Sequence, residues 1–469
     1  MTMQFALNFV LLQRQMAKIL KRDKMGDFDS EAWLARNPEI GNLRAAIFDL
    51  NGVLRGKRLP RNQLKKAING GIRMPLSSAN LDIWGRDIAN SKWVFETGDS
   101  DGGCFWTGRG PLPMPWTEQT TALVPLGLMD NAGKPFVGDA RNALAMILER
   151  FAALDLHPVV GFEMEFYLAD PQGGNDGQPD AAVSPLTGAK PIRDGALAID
   201  EVNDHDSLIN EIYAACKLQM IEADTTSSEA GLGQFEINLV HSHDAMKAAD
   251  DAAFFKQIAK GVARKYGLAA SFMAKPYADR PGNGMHLHVS LLDGKGENVF
   301  DDGSDAGSPV LGHALAGSLA GLADSMLIFA PHQNSYRRFA IESHAPMAVC
   351  WGYENRTAAL RVPLGLPSQR RIEHRVSGAD ANPYLVLAAI LGAILTGLED
   401  QKPPPPPITS SSYALDLPSL PSSWDDAINY FTNSAVIARI LPETLRDMLI
   451  GCKIQELHRF SGDISPFEY

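Results

Sequence analysis

Two carboxylates interrupt an otherwise apolar run, VVGFEMEFYL, at Glu163 and Glu165. Side chains alternate across a strand, so both acids point the same way. Burying two like charges side by side is costly unless a cation or a partner compensates. No Lys or Arg stands inside the run, which weakens a purely structural pair of salt bridges. A second pair follows in SSEAGLGQFEINL, where Glu229 precedes a glycine turn and Glu236 sits in the next apolar run. Glu373 lies in RRIEHR with Arg371 and Arg375 two residues away on the same strand face. In PGNGMHLHVSLL, His286 and His288 share one face of a strand, behind Gly282 and Gly284, where backbone can approach a ligand closely. Acids from three segments plus a histidine pair point to oxygen-dominated binding of Mg²⁺ or Mn²⁺ rather than Zn²⁺, with a histidine as one ligand.

Arginines form the complementary set: Arg337 and Arg338 in NSYRRF, Arg356 and Arg361 in ENRTAALRVP, and Arg370, Arg371 and Arg375 in RRIEHR. Guanidinium groups grip phosphate and carboxylate bidentately. Scattered arginines usually form a solvated basic face, but these lie in apolar or glycine-containing runs. Metals beside arginines imply a polyanionic substrate such as a metal–nucleotide, with a carboxylate next to it. No GxxxxGK[ST] or GxGxxG motif occurs in the chain, which excludes a P-loop or Rossmann nucleotide site.

The elements that must position these residues can be read coarsely. A chain of 469 residues with 45% hydrophobic and 21% charged residues is globular and long enough for two domains. Its net charge of -12 and lack of a basic stripe argue against nucleic-acid binding. Four cysteines without a CxxC pair suit a reducing cytoplasm. NFVLLQRQMAKILKR reads as an amphipathic helix, and LRAAIFDLNGVLRGKRLP as a hairpin around Asn-Gly. Residues up to about 135 look β-rich. DARNALAMILERFAALDL (139–156) reads as a helix capped by Asp139 that leads into the strand carrying Glu163. Helices are expected at 205–220 and 251–267, strands at QFEINLV and MHLHVSLL, and a proline-rich surface loop at 401–412.

Taken in order, DLNGVLRGKRLP, GFEMEF, EAGLGQFEINL, GNGMHLHVS, NSYRRF, NRTAALRVP and RRIEHRVSGADANPYL resemble the glutamine synthetase superfamily, in particular its γ-glutamylpolyamine synthetase branch. The resemblance implies an α+β fold: an N-terminal β-grasp domain (1–135) and a catalytic domain (136–469) with a curved antiparallel sheet and flanking helices. It implies activation of the γ-carboxylate of glutamate by ATP and displacement of phosphate by a nitrogen nucleophile, in a cytoplasmic ring of two stacked hexamers. Glu165, Glu229 and Glu236 match ligands of a first metal; Glu163, His286 and Glu373 match those of a second. His288, Ser290, Arg361 and Arg371 fall at the nucleotide. Gly282, Arg338 and Arg375 fall at the glutamate, and Arg356, with Arg361, at the transferring phosphate. Asp82, in LDIWGRD, matches an aspartate that helps deprotonate the incoming ammonium in a neighbouring subunit's site.

The chain departs from the family pattern at several points. Pro281-Gly282 stands where Asn-Gly is common, a tyrosine is missing near DGALAID, and the flap's Glu-Ala-Pro is His344-Ala345-Pro346. Leu415 occupies the place of a loop tyrosine that some bacterial members have modified. Glutamate carboxylate as acid and an organic amine as nucleophile is the favoured reading, with His344 a candidate base. An ammonia-using glutamine synthetase is the runner-up, and a catalytically dead structural homologue comes third.

Overall fold

A computed structural model describes residues 28–173, 179–191, 195–341 and 343–464. The amphipathic helix expected near the N-terminus lies outside them. The hairpin forms as expected: β1 (Asn42–Phe48) pairs antiparallel with β2 (Leu54–Pro60), with Phe48 opposite Leu54. Asp49 closes its turn by accepting bonds from the Val53 amide and the Arg55 guanidinium, each at 2.8 Å. Gly52 takes the left-handed conformation, φ 70°, that this turn requires.

This hairpin belongs to a six-stranded sheet. β3 (Arg73–Pro75), β4 (Asp101–Trp106), β5 (Leu112–Met114) and β6 (Thr121–Met129) complete it, in the order β2-β1-β6-β4-β3 with β5 also on β6. Asp139 then caps the helix Ala140–Ala153 through the Arg141 and Asn142 amides. Its second oxygen takes the Leu128 amide at 2.9 Å, fixing the helix to the end of β6.

The second sheet has nine strands. β7 (Leu156–Asp170), β8 (Asp180–Ala181), β9 (Ala223–Ser228), β10 (Gln234–Leu239), β11 (Ala269–Ser271), β12 (Met285–Asp293), β13 (Trp351–Tyr353), β14 (Leu360–Val362) and β15 (Ile372–His374) form it. The path runs β13-β14-β15-β12-β7-β10-β9, with β8 and β11 also on β7, and every pair except β13–β14 is antiparallel. The expected helices at 205–220 and 251–267 run Asp206–Leu218 and Ala245–Lys265. The second starts earlier because Asp244 caps it through the Lys247 amide. Helix Pro383–Asp400 is long and apolar enough to cross a membrane, yet every residue from Pro383 to Gly397 is buried. Its hydrophobicity belongs to a core helix. With strands and helices in these two arrangements, the chain has the expected α+β fold.

Candidate active site

The acidic and basic residues converge on one face of the nine-stranded sheet, because β7, β10, β12, β14 and β15 each contribute alternate residues to it. Register sorts them into rows. Glu165 lies opposite Glu236; Glu163 lies between Asn238 and His286; and His288 lies beside Glu373, which faces Arg361. Like charges directly opposite each other destabilise a ladder. This one keeps such a pair at its centre.

Glu163 is the hub. Its Oε2 meets His286 Nδ1 at 3.2 Å and its Oε1 meets His288 Nε2 at 2.8 Å. Burial works against its charge, but the two imidazole hydrogen bonds outweigh it and hold the carboxyl far below the usual range. Glu236 behaves in the opposite way. Burial, then the charges of Glu163, Glu165 and Glu229, push it up to about 9, and Arg375 offsets only part of this. Glu229 is raised to about 7, chiefly by burial and then by Glu165. Glu165 Oε2 accepts the Gly284 amide at 2.6 Å.

Two sets of ligand atoms each lie within 4.8 Å of one another: Glu163, Glu236 and His286, and Glu163, His288 and Glu373. Both are carboxylate-dominated with one imidazole, a donor set suited to a hard divalent cation. Glu236 has no hydrogen-bond donor or ion-pair partner among the described residues, as expected of a carboxylate that faces a cation. The residues therefore fit a divalent metal. These sets cut across the expected ones: Glu236 groups with Glu163 and His286, while Glu165 and Glu229 fall in neither set. His288, expected at the nucleotide, bonds the same carboxylate as His286, because residues two apart on β12 project side by side.

The arginines divide into committed and free groups. Arg361 Nη1 holds Glu373 at 2.6 Å while its Nη2 holds Glu354 at 3.1 Å. Arg375 also pairs with Glu373 and donates to the Arg356 carbonyl. Burial raises the Glu373 carboxyl, but Arg375 and then the two histidines outweigh it, leaving it lowered. Arg371 Nε reaches His288 Nδ1 at 3.0 Å. Arg338 is buried, donating to the carbonyls of Val376 (2.8 Å) and Arg375 (3.3 Å), and passes against Gly282 and Gly284. A Cβ on Gly282 would stand 2.8 Å from Arg338 Cγ, and one on Gly284 would stand 2.8 Å from both Arg338 Nη2 and His286 Nε2. That close approach is why glycine occupies both positions. Arg356 is exposed and its charge acts on Glu229, so it remains available to an anion. Ser290 follows His288 on the same face of β12.

Two candidates stand apart from this cluster. His344 is exposed and left-handed, φ 58°, on the segment joining Arg338 to β13. Asp82 is fully buried and its carboxylate is engaged within its own chain. Oδ1 accepts from the Trp84 amide (3.0 Å) and the Arg86 amide (2.8 Å), and Oδ2 from Gln455 Nε2 (2.9 Å). An aspartate four residues before Arg86, with Gly85 between them, shapes its own turn. Its carboxylate forms this turn and ties it to Gln455.

The sequence reading missed three neighbours. Glu354 shares Arg361 with Glu373. His241 packs its ring 5.6 Å from that of His288, in space left by Gly161, and burial followed by the charges of His288 and Arg371 lowers it to about 4. Tyr413 bonds the Ala345 carbonyl. None stands in an alternating run with other candidates, so no local signal marks it.

Residues 137–469 match the family described as glutamine synthetase, catalytic domain. The chain is 35% identical to the gamma-glutamylputrescine synthetase PuuA of Escherichia coli, over 93% of this chain and 92% of that one. It is 31% identical to the glutamate–isopropylamine ligase of a Pseudomonas species, over 92% and 94% of the two chains. The solved structure titled GmaS/ADP complex, conformation 1, superposes with a TM-score of 0.80 at 27% identity, covering 93% of this chain and 97% of that one. With its acidic and histidine pairs aligned on one sheet and its catalytic region matched throughout, the chain belongs to the glutamine synthetase family and is an ATP-dependent carboxylate–amine ligase.

Proposed function

We propose that this ligase activates the γ-carboxylate of glutamate as an acyl phosphate and joins it to an organic amine, with residues 1–135 and 136–469 as its two domains. The observation that carries the reading is the Glu165–Glu236 pair, kept face to face and without a cationic side-chain partner among the described residues, beside a row of arginines. Divalent cations, Mg²⁺ or Mn²⁺, would be held by Glu163, Glu236, His286, His288 and Glu373, with Glu165 and Glu229 adjoining. Bound there, they would neutralise phosphate charge and polarise the transferred phosphoryl group. Arg338 and Arg375 orient the glutamate carboxylate. Arg356 is free to meet the transferring phosphate, and Arg371 and Ser290 face the nucleotide.

His344 supports an organic amine over ammonium. A carboxylate would attract the ammonium cation, whereas a neutral imidazole offers one acceptor without a formal charge and can take the amine's proton. Losing such a charge contact costs about 1.5–3 kcal/mol, which apolar burial of an amine's carbon chain can recover at about 0.8 kcal/mol per methylene. The relatives named for putrescine and isopropylamine support this reading. The two sheets, confined to residues 42–129 and 156–374, support the domain division. Exposed Trp84 and Phe95 support assembly of copies into a ring, and four free, buried cysteines suit a reducing cytoplasm. Phosphate release and amide formation with glutamate, ATP and Mg²⁺, compared for ammonium, putrescine, ethylamine and isopropylamine, test the reading. Higher kcat/KM for ammonium would return the runner-up.

A further inference from the structure

The proline-rich segment after residue 400 is a strap rather than a free loop. Pro405 O accepts Trp351 Nε1 at 2.7 Å, and the Ile408 amide donates to Trp351 O at 2.9 Å. Ser410 O accepts Asn355 Nδ2 at 2.8 Å. Ser412 clasps Thr357 twice, through its amide at 2.9 Å and its hydroxyl at 2.7 Å. Further on, the Val349 amide donates to Pro418 O and the Leu420 amide to Met347 O, at 2.8 and 2.9 Å. The strap thus runs alongside both the segment carrying Arg356 and the segment carrying His344.

Tyr413 sits where these two segments meet. Its hydroxyl donates to the Ala345 carbonyl at 2.9 Å, one residue past His344. The ring is half-buried, and burial keeps the phenol protonated against the pull of Ser343, Arg338 and Arg375, so it remains a donor at neutral pH. Ala345 is buried while His344 is exposed in a left-handed conformation, so Tyr413 grips the Ala345–Pro346 peptide and anchors the chain one residue past the imidazole. We propose that Tyr413 is a positioning residue for amine transfer, latching residues 343–346 so that His344 addresses the amine and water is kept from the activated carboxylate.

This inference rests on the acyl phosphate reading. When the amine attacks, a C–N bond forms, the C–O bond to phosphate breaks, phosphate leaves with the electron pair, and the amine's proton passes to a base. When water attacks the same carbon, phosphate leaves alike and glutamate is regenerated without product. A loosened latch shifts the partition toward water.

The test is Tyr413→Phe, read as phosphate released per amide formed. Wild type should give a ratio near one. The variant should raise it severalfold and raise the KM for the amine about three- to tenfold, as expected for one lost hydrogen bond, with total phosphate release little changed. Trp351→Phe, which removes a strap bond remote from Ala345, should leave the ratio at one. A ratio of one in Tyr413→Phe, or an equal rise in Trp351→Phe, would overturn the latch. Amide hydrogen exchange supplies a readout independent of turnover: residues 345–349 should exchange about three- to tenfold faster in Tyr413→Phe. Unchanged exchange overturns the latch. Absence of glutamate-dependent phosphate release in wild type overturns the activity reading instead, and faster exchange would then still support the latch.

Discussion

Two clusters of charge are built in opposite ways. Where the C-terminal helix Glu443–Ser461 meets the first sheet, Lys453 and Glu456 are fully buried and bonded to each other at 2.8 Å. Asn51 takes one bond from Lys453 and gives one to Glu456, and the Ile83 amide donates to Glu456 as well. Asp82 beside them has both oxygens engaged. On the nine-stranded sheet, by contrast, Glu236 has no donor among the described residues, Glu165 faces it, and Arg356 stands exposed. Burial alone does not distinguish the clusters. Satisfaction does: charges paired internally hold the architecture, and charges left in conflict mark where a ligand completes the balance.

Breaking the satisfied cluster should have the largest effect. Lys453→Met leaves Glu456 charged and buried, and unfolding in denaturant should show a loss of about 3–5 kcal/mol. Turnover per folded molecule should stay within about twofold. Removing the unsatisfied carboxylate reverses the pattern. Glu236→Ala should cut turnover about a hundredfold to a thousandfold, because it deletes a ligand at the developing charge, while thermal melting without metal rises. Activity near wild type at low Mg²⁺ would remove Glu236 from the metal site.

A pH series sharpens the contrast. The carboxyl of Glu236 is raised in the folded chain from 4.5 to about 9, so the folded state holds a proton that the unfolded chain loses earlier. Its contribution to stability is complete below about pH 4.5 and disappears as pH rises through about 9. Metal-free protein should therefore melt at lower temperature at pH 9 than at pH 6, and Glu236→Gln should flatten part of that slope. Saturating Mg²⁺ should flatten it too. A wild-type slope identical to that of the variant would show that Glu236 is not under the strain described.

Asp82→Asn should have the smallest effect. The amide keeps an oxygen for Trp84 and Arg86, so stability should fall by only about 0.5–1.5 kcal/mol and kcat/KM for the amine should stay within about twofold. A hundredfold loss of kcat/KM in a stable variant would establish the role of base and erase the distinction between the two clusters.

Much of this was legible in the sequence because it is local. Alternation placed Glu163 with Glu165 and His286 with His288 on shared faces, and Asn51-Gly52 and Asp139 announced a turn and a cap. Those signals depend on neighbours a few residues apart, which any sequence displays. Register does not. That His288 shares Glu163 with His286, that Glu236 faces Glu165, and that Arg361 is committed to Glu373 and Glu354 follow from how distant strands slide into alignment. A shift of a single residue would turn each of these side chains to the other face. Asp82 shows the same limit from the other side. The resemblance marked it as a candidate base, and nothing in LDIWGRD announces that the Gln455 amide on its second oxygen arrives from a helix near the other end of the chain. The proline-rich segment is the surface loop its composition announced, but its bonds to Trp351, Asn355 and Thr357 leave no trace in composition. Sequence determined which chemistry the chain carries; tertiary structure decided which charges are spent on holding it together, because hydrogen-bond satisfaction is a property of space rather than of order along the chain.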